Sequence, residues 1–182
     1  MIIGITGTDG AGKGEVVDYL KTKGFVHYSA RDLIVAEIKK RGLEVHRPQM
    51  KLVGNALREE FGGDMLIAKS LLQKETDGSK DCIIESLRTV DEANSLHTKG
   101  GVLLAIDADQ RLRYERIHGR GSETDNISFK EFVEQDEAES VSDNPAEQNK
   151  KAVMQLADHV IMNDGTIEEL HAKVETWLQS VQ

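Results

Sequence analysis

The stretch from Met1 to Val17 constrains the fold more than any other. An apolar run over Ile2 to Ile5 leads into Gly7-Thr8-Asp9-Gly10-Ala11-Gly12-Lys13, and an apparent helix follows over about residues 13–23. A short apolar run closed by a glycine turn reads as a buried strand, so the opening unit is strand, tight turn, helix. The glycines let successive backbone N–H groups face inward, and Lys13 sets a cation beside them. A polyphosphate suits that arrangement. The residue after Lys13 is Gly14, where the common form of the motif carries a serine or threonine hydroxyl on magnesium. Gly14 cannot ligate a metal. Magnesium would be held by nucleotide oxygens and water, fixed indirectly by an acidic side chain.

The remaining chain alternates in the same way. Phe25 to Tyr28 reads as a second strand, Ser29 as the cap of a helix that Gly42 ends, and Pro48 as the start of a helix through Val53 and Leu57. A further helix covers about residues 64–74. Cys82-Ile83-Ile84 is a buried strand ending at Glu85, a helix runs over about 90–97, and the next strand over 101–106. A long polar stretch, 107–149, reads as mostly helical around a flexible segment at 119–128. Asp158 to Met162 closes the strands and Thr166 to Leu178 the helices. Alternation of this kind predicts an α/β fold with a parallel sheet covered on both faces. Sites in such sheets gather beyond the carboxyl ends of the strands. Gly7, Ser29, Glu85, Asp107 and Asn163 all fall at those ends.

Bulk properties narrow the partners. With 182 residues the chain can bury one substantial core. Acidic residues outnumber basic ones 32 to 23, a formal charge of −9, which opposes binding to a nucleic-acid backbone. Cys82 is the single cysteine, so a buried thiol in a reducing compartment is expected. No apolar segment approaches the length of a membrane span and the amino terminus lacks the order of a signal peptide, so the expectation is a cytoplasmic chain with no membrane association. Cys82 and the dispersed histidines form no zinc pattern.

Within the loop, Gly7, Thr8, Asp9, Gly10, Ala11, Gly12, Lys13 and Gly14 form a P-loop whose amides and Lys13 neutralise the β- and γ-phosphates of a nucleotide. Asp9 either takes part or caps the loop. Glu15 is either a solvated first-turn residue or a group that orients hydrated magnesium. Glu85 ends an apolar strand and is the candidate metal-positioning carboxylate, acting through water. Asp32 either favours a helix terminus or orients an acceptor proton. Arg31, Arg58 and Arg88 arise in different crossovers near one sheet end, where guanidinium groups can grip a second anionic substrate. Arg116 and Arg120, flanked by Gly119 and Gly121, read as a charged helix end or as a lid that closes over the transferring phosphate. Arg111 and Arg113 have weaker claims to support it. Asn163 and Gly165 form a turn or approach the nucleotide base. His118 has no nucleophile partner, so alignment and neutralisation of two phosphates carry the chemistry rather than a covalent residue.

The loop Gly7 to Gly14 resembles that of adenylate kinase-like P-loop nucleotide kinases, glycine after lysine included, although Glu15 stands where that family has a hydroxyl residue. The chain also resembles dephospho-coenzyme A kinase-like proteins. The whole progression is similar to an archaeal family of nucleotide kinases in which an acidic residue follows this part of the loop and a strand–acid–x–x–Arg segment matches Glu85 to Arg88. The resemblance implies a three-layer α/β/α sandwich with a five-stranded, predominantly parallel sheet in the order 2-3-1-4-5. It implies one domain over 1–182, with an acceptor-side helical segment at about 29–78 and a lid at about 113–143. Arg58 and Arg88 then match acceptor-phosphate contacts, Arg116 and Arg120 lid arginines, and 158–165 the nucleotide-base edge. Ser29-Ala30-Arg31-Asp32 occupies the acceptor-side position.

Three functional classes follow. The leading one is an ATP- and Mg2+-dependent phosphotransferase acting on a small phosphorylated acceptor, a nucleoside or deoxynucleoside monophosphate, with Lys13, Asp32, Arg88, Arg116 and Arg120 as catalytic groups. A dephospho-coenzyme A kinase uses the same parts on a larger acceptor. A regulatory or RNA-associated NTPase would use water as acceptor.

Overall fold

The computed structural model describes residues 1–119, 128–138 and 148–181. Five parallel strands form one sheet in the order β2-β3-β1-β4-β5. They are β1 (Ile2–Gly7), β2 (Val26–Ser29), β3 (Cys82–Glu85), β4 (Val102–Asp107) and β5 (His159–Met162). This is the order the resemblance implies. The inner strands β1, β3 and β4 are near-continuous apolar runs because helices cover both faces, whereas the edge strands β2 and β5 carry His27, Ser29 and His159 and are partly exposed. Register sets the strand ends side by side. Ser29 is opposite Glu85, Gly7 opposite Ile106, and Asp107 opposite Met162.

Helices α1 (Lys13–Thr22) and α9 (Ile167–Ser180) cover one face, burying Val16, Val17 and Leu20 with Val174, Trp177 and Leu178 against Ile3, Ile5, Leu104 and Ile106. The other face packs α4 (Met65–Asp77), α5 (Val90–Thr98) and α8 (Lys150–Gln155) through Ile67, Ala93, Leu96 and Val153 onto Ile84 and Leu103. Cys82 is buried there as a free thiol. A third apolar cluster joins α4 to α2 (Ala30–Lys40) and α3 (Arg47–Phe61). Helices α6 (Gln110–Gly119) and α7 (Phe129–Ala138) follow β4. The expected flexible segment and much of the expected lid, including Arg120, lie outside the described residues. Among the described residues no helix is long and apolar enough to cross a membrane.

The sequence marks its own helix starts. Ser29 caps α2 by accepting from the Asp32 N–H, and Thr89 with Glu92 and Thr166 with Glu169 form reciprocal capping boxes on α5 and α9. Glu92 does more than cap. One oxygen accepts from the N–H groups of Arg88 and Thr89. The other accepts from Arg58 Nε at 3.1 Å and Nη2 at 2.8 Å. This buried pair ties α3 to α5, and removing one partner leaves the other charge uncompensated. Glu92→Ala is expected to lower unfolding free energy by about 3–5 kcal/mol, whereas Arg58→Met with Glu92→Gln, which keeps an acceptor for the Arg88 and Thr89 N–H groups, recovers most of it. Urea titrations of the three proteins check this; a loss under about 1 kcal/mol in the single variant contradicts it.

Candidate phosphate-binding site

The loop between β1 and α1 is held by the ends of β4 and β5. The Thr8 N–H donates to Ile106 O and its hydroxyl to Asp107 Oδ1 at 2.6 Å. The amide of Asn163 donates to Ala11 O at 2.8 Å. Gly7 has φ +135, and a Cβ there would lie 2.0 Å from Ile106 O, so no side chain fits between β1 and β4. Gly12 is left-handed at φ +97 and stands as the N-cap of α1 without a side-chain cap; a Cβ would lie 2.5 Å from Asn163 Nδ2. Among the described residues, no hydrogen bond engages the N–H groups of Gly10, Gly12, Lys13 and Gly14. Orphan donors at a helix start suit an anion, and they are the structural case for a phosphate here. Beyond Gly14 the space is open, so its missing hydroxyl is not imposed by packing.

Lys13 is turned back on the loop. Its Nζ donates to Gly7 O at 2.9 Å and Thr8 O at 2.8 Å and lies 3.7 Å from Asp9. Burial lowers its pKa to about 8, with the positive charges of Arg88 and Lys150 adding to the effect against the pull of Asp9 and Glu85. Asp9 also faces Arg88 at 3.5 Å and Lys150 at 3.2 Å. Behind it, buried Arg113 donates to the Asp9 and Ala108 carbonyls and grips Asp136 with both Nη groups, at 3.2 and 2.7 Å. Burial alone would raise the Asp136 carboxyl. Arg113 and Lys150 outweigh it and hold it below its ordinary value.

Glu85 ends β3 with His27 Nε2 3.1 Å away, out of line for a hydrogen bond. The imidazole, joined by Lys13 and Arg88, keeps this half-buried carboxyl below the ordinary range. Ser86 then adopts φ 71, the one left-handed non-glycine residue among those described. Left-handed backbone costs about 1–2 kcal/mol outside glycine. Here it reverses the chain while Ser86 and Leu87 both donate to Ile5 O, which returns Arg88 to the loop.

The structure thus gathers Gly7 to Gly14, Glu85, Arg88 and Asn163. Other candidates stand apart. Ser29 is engaged as the α2 cap, with Arg31 and Asp32 exposed just after it. Arg58 is committed to Glu92, leaving Nη1 buried without a partner. Glu15 pairs with His171 of α9 at 2.8 Å, and Gly165 abuts Glu169. Arg116 is half-buried in α6, and among the described residues its Nη1 has no partner. Sequence reasoning missed Lys150, Asp136 and His27 and underrated Arg113. Lys150 had one faint signal: a cation in the first turn of a helix opposes the helix dipole.

A parallel sheet in this order, with a glycine loop opening a helix at its carboxyl edge, defines a P-loop NTPase fold. A family model described as an AAA domain matches residues 3–142. The UPF0200 protein of Methanocaldococcus jannaschii is 33% identical, the match covering 100% of this chain and 90% of that one. That of Pyrococcus abyssi is 32% identical, covering 100% and 97%. The chain belongs to the UPF0200 family and carries this AAA domain. Shikimate kinase from Aquifex aeolicus shares the fold at TM-score 0.60 and 19% identity, covering 99% of this chain and 97% of that one. Dephospho-CoA kinase from Campylobacter jejuni does so at TM-score 0.53 and 14% identity, covering 100% and 97%.

The lowered pKa of Lys13 makes phosphate binding pH-dependent. The charged form binds an anion, so affinity for pyrophosphate is expected to fall as pH rises through about 8. A bound anion raises the Lys13 pKa, so binding near that pH takes up a proton. Calorimetry in buffers of different ionisation enthalpy reads the uptake; affinity that stays flat between about pH 7 and about pH 9.5 excludes the assignment.

Proposed function

We propose that the protein is an ATP-dependent phosphotransferase whose acceptor is a small phosphorylated molecule, a nucleoside or deoxynucleoside monophosphate. The observation that carries this reading is the set of orphan N–H groups around Lys13 with Arg88, from a different crossover, beside them. A donor phosphate on those amides would lie within reach of both cations. Lys13 would exchange its contacts with the loop carbonyls for phosphate oxygens, and Arg88 would take charge developing on the transferred group. Asn163 would keep the loop open by holding Ala11 O, and together with Gly165 would border the base. Arg116, and Arg120 beyond the described residues, would close over the phosphates. Asp32 and Arg31 at the start of α2, with Ser29, face the acceptor in this reading, while Arg58 stays paired with Glu92 and holds α3 against α5.

Magnesium fits the donor set only indirectly. Gly14 offers no ligand, and among the described residues no group of three metal-binding side chains is assembled. Glu85, ionised and near Lys13, would hold the ion through water, with Glu15 drawn aside by His171. The ion would supply neutralisation of the β- and γ-oxygens. A second reading, NTP hydrolysis with water as acceptor, is favoured by Arg58, whose guanidinium is committed to Glu92.

The test is ATP turnover against nucleoside and deoxynucleoside monophosphates and dephospho-coenzyme A, with mass detection of product. ADP formation without any phosphorylated acceptor selects hydrolysis. Lys13→Ala is expected to lower kcat by roughly 100-fold or more, and undiminished turnover removes its assigned role. Arg88→Ala is expected to raise the acceptor KM more than the ATP KM; equal increases contradict its placement between the two phosphates.

A further inference from the structure

The phosphate-facing cations are not idle in this structure. Among the described residues Lys13, Arg88 and Lys150 all face one carboxylate, Asp9, which lies in the loop itself. The contacts around it fall into two sets. Arg113 and Asp136 are joined by two hydrogen bonds, at 3.2 and 2.7 Å, between side chains 5% and 11% exposed. The Asp9 carboxylate is 22% exposed and lies 3.7, 3.5 and 3.2 Å from the three cations. The first set is enclosed scaffold; the second is the one an incoming anion can reach. Lys150 is 2% exposed and would be costly to bury without an anion. Asp9 at 3.2 Å and Asp136 at 3.7 Å both face it. The Asp9 backbone stays held through its carbonyl by Arg113, so displacement needs only a rotation of the side chain.

We propose that Asp9 is a built-in counter-ion that holds Lys13, Arg88 and Lys150 in place before phosphate arrives and is displaced from them by the incoming phosphate, so that it sets the affinity of the site. The proposal rests on the phosphate-site reading above but needs no acceptor. The cations remain ordered without repelling one another apart, and phosphate oxygens take over the same Nζ and Nη groups at shorter range. The cost of turning Asp9 out is the same whichever phosphate enters. Lys150 thereby becomes a phosphate-reading residue contributed by α8.

Calorimetric titration of the full chain with inorganic phosphate and with pyrophosphate tests this, without magnesium or acceptor. Asp9→Asn is expected to bind both probes about tenfold tighter than the wild type, by a similar factor for each because the displacement cost is shared. Unchanged or weaker binding overturns the proposal. So does a gain much larger for pyrophosphate than for phosphate, since that is the signature of a carboxylate that stays in place and repels. Should Asp9→Asn fail to fold, Lys150 supplies an independent arm. Lys150→Gln is expected to weaken pyrophosphate binding at least about fivefold, with Lys150→Arg restoring it, and equal binding by wild type and Lys150→Gln overturns the exchange. The acceptor screen on the wild type separates the two readings. Tighter binding by Asp9→Asn with no acceptor phosphorylated leaves the counter-ion standing and removes the kinase. Phosphorylation of an acceptor with no effect of Asp9→Asn does the reverse.

Discussion

The central position of β1 is the constraint from which the rest of the site follows. Pairing with β3 on one side and β4 on the other leaves the loop after Gly7 no exit except at the middle of the carboxyl edge. From there it meets the ends of both neighbours. Ile106 and Asp107 at the end of β4 take Thr8, and the chain leaving β3 brings Glu85 and Arg88. Packing and chemistry share one cause. The same closeness that excludes a side chain at Gly7 lets strand ends from distant parts of the sequence meet around one glycine loop.

Electrostatically the site is a cluster of like charges kept together by a few half-buried carboxylates. Burial would drive protons off Lys13 and disperse its neighbours. Asp9, Asp136 and Glu85 oppose that, each in a different way: Asp9 by long contacts, Asp136 by a tight grip on Arg113, and Glu85 beside His27. Glu92 performs the corresponding task on the α3 side, where it holds Arg58. The acidic balance of the whole chain thus coexists with a locally cationic edge.

The fold was largely legible because its signals are local. Apolar runs bounded by glycine, and caps such as Ser29, Thr89 and Thr166, mark elements within a few residues. The donor half of the site was legible for the same reason, since Gly7 to Gly14 is one contiguous segment. The charge partners were not. Lys150 and Asp136 sit in a polar stretch whose periodicity says nothing, and their meaning depends on burial beside Asp9, 141 residues from Lys150. Arg58 illustrates the opposite problem. Its charge in a crossover segment suggested an anionic substrate, but its pairing with Glu92, 34 residues later, was not readable.

The bond from Asn163 to Ala11 O spans 152 positions. With the Lys150 contact, it makes the phosphate loop dependent on segments synthesised long after it. A nascent chain that has released β1 and α1 from the ribosome already carries the glycines and Lys13, yet lacks the side chains that hold the loop in shape and its charges in balance. Such a chain has to close contacts of high sequence separation before the loop matures, and loop closure over that range is slow and entropically costly. The shape and charge balance of the loop are therefore products of the completed fold and not of the loop sequence alone.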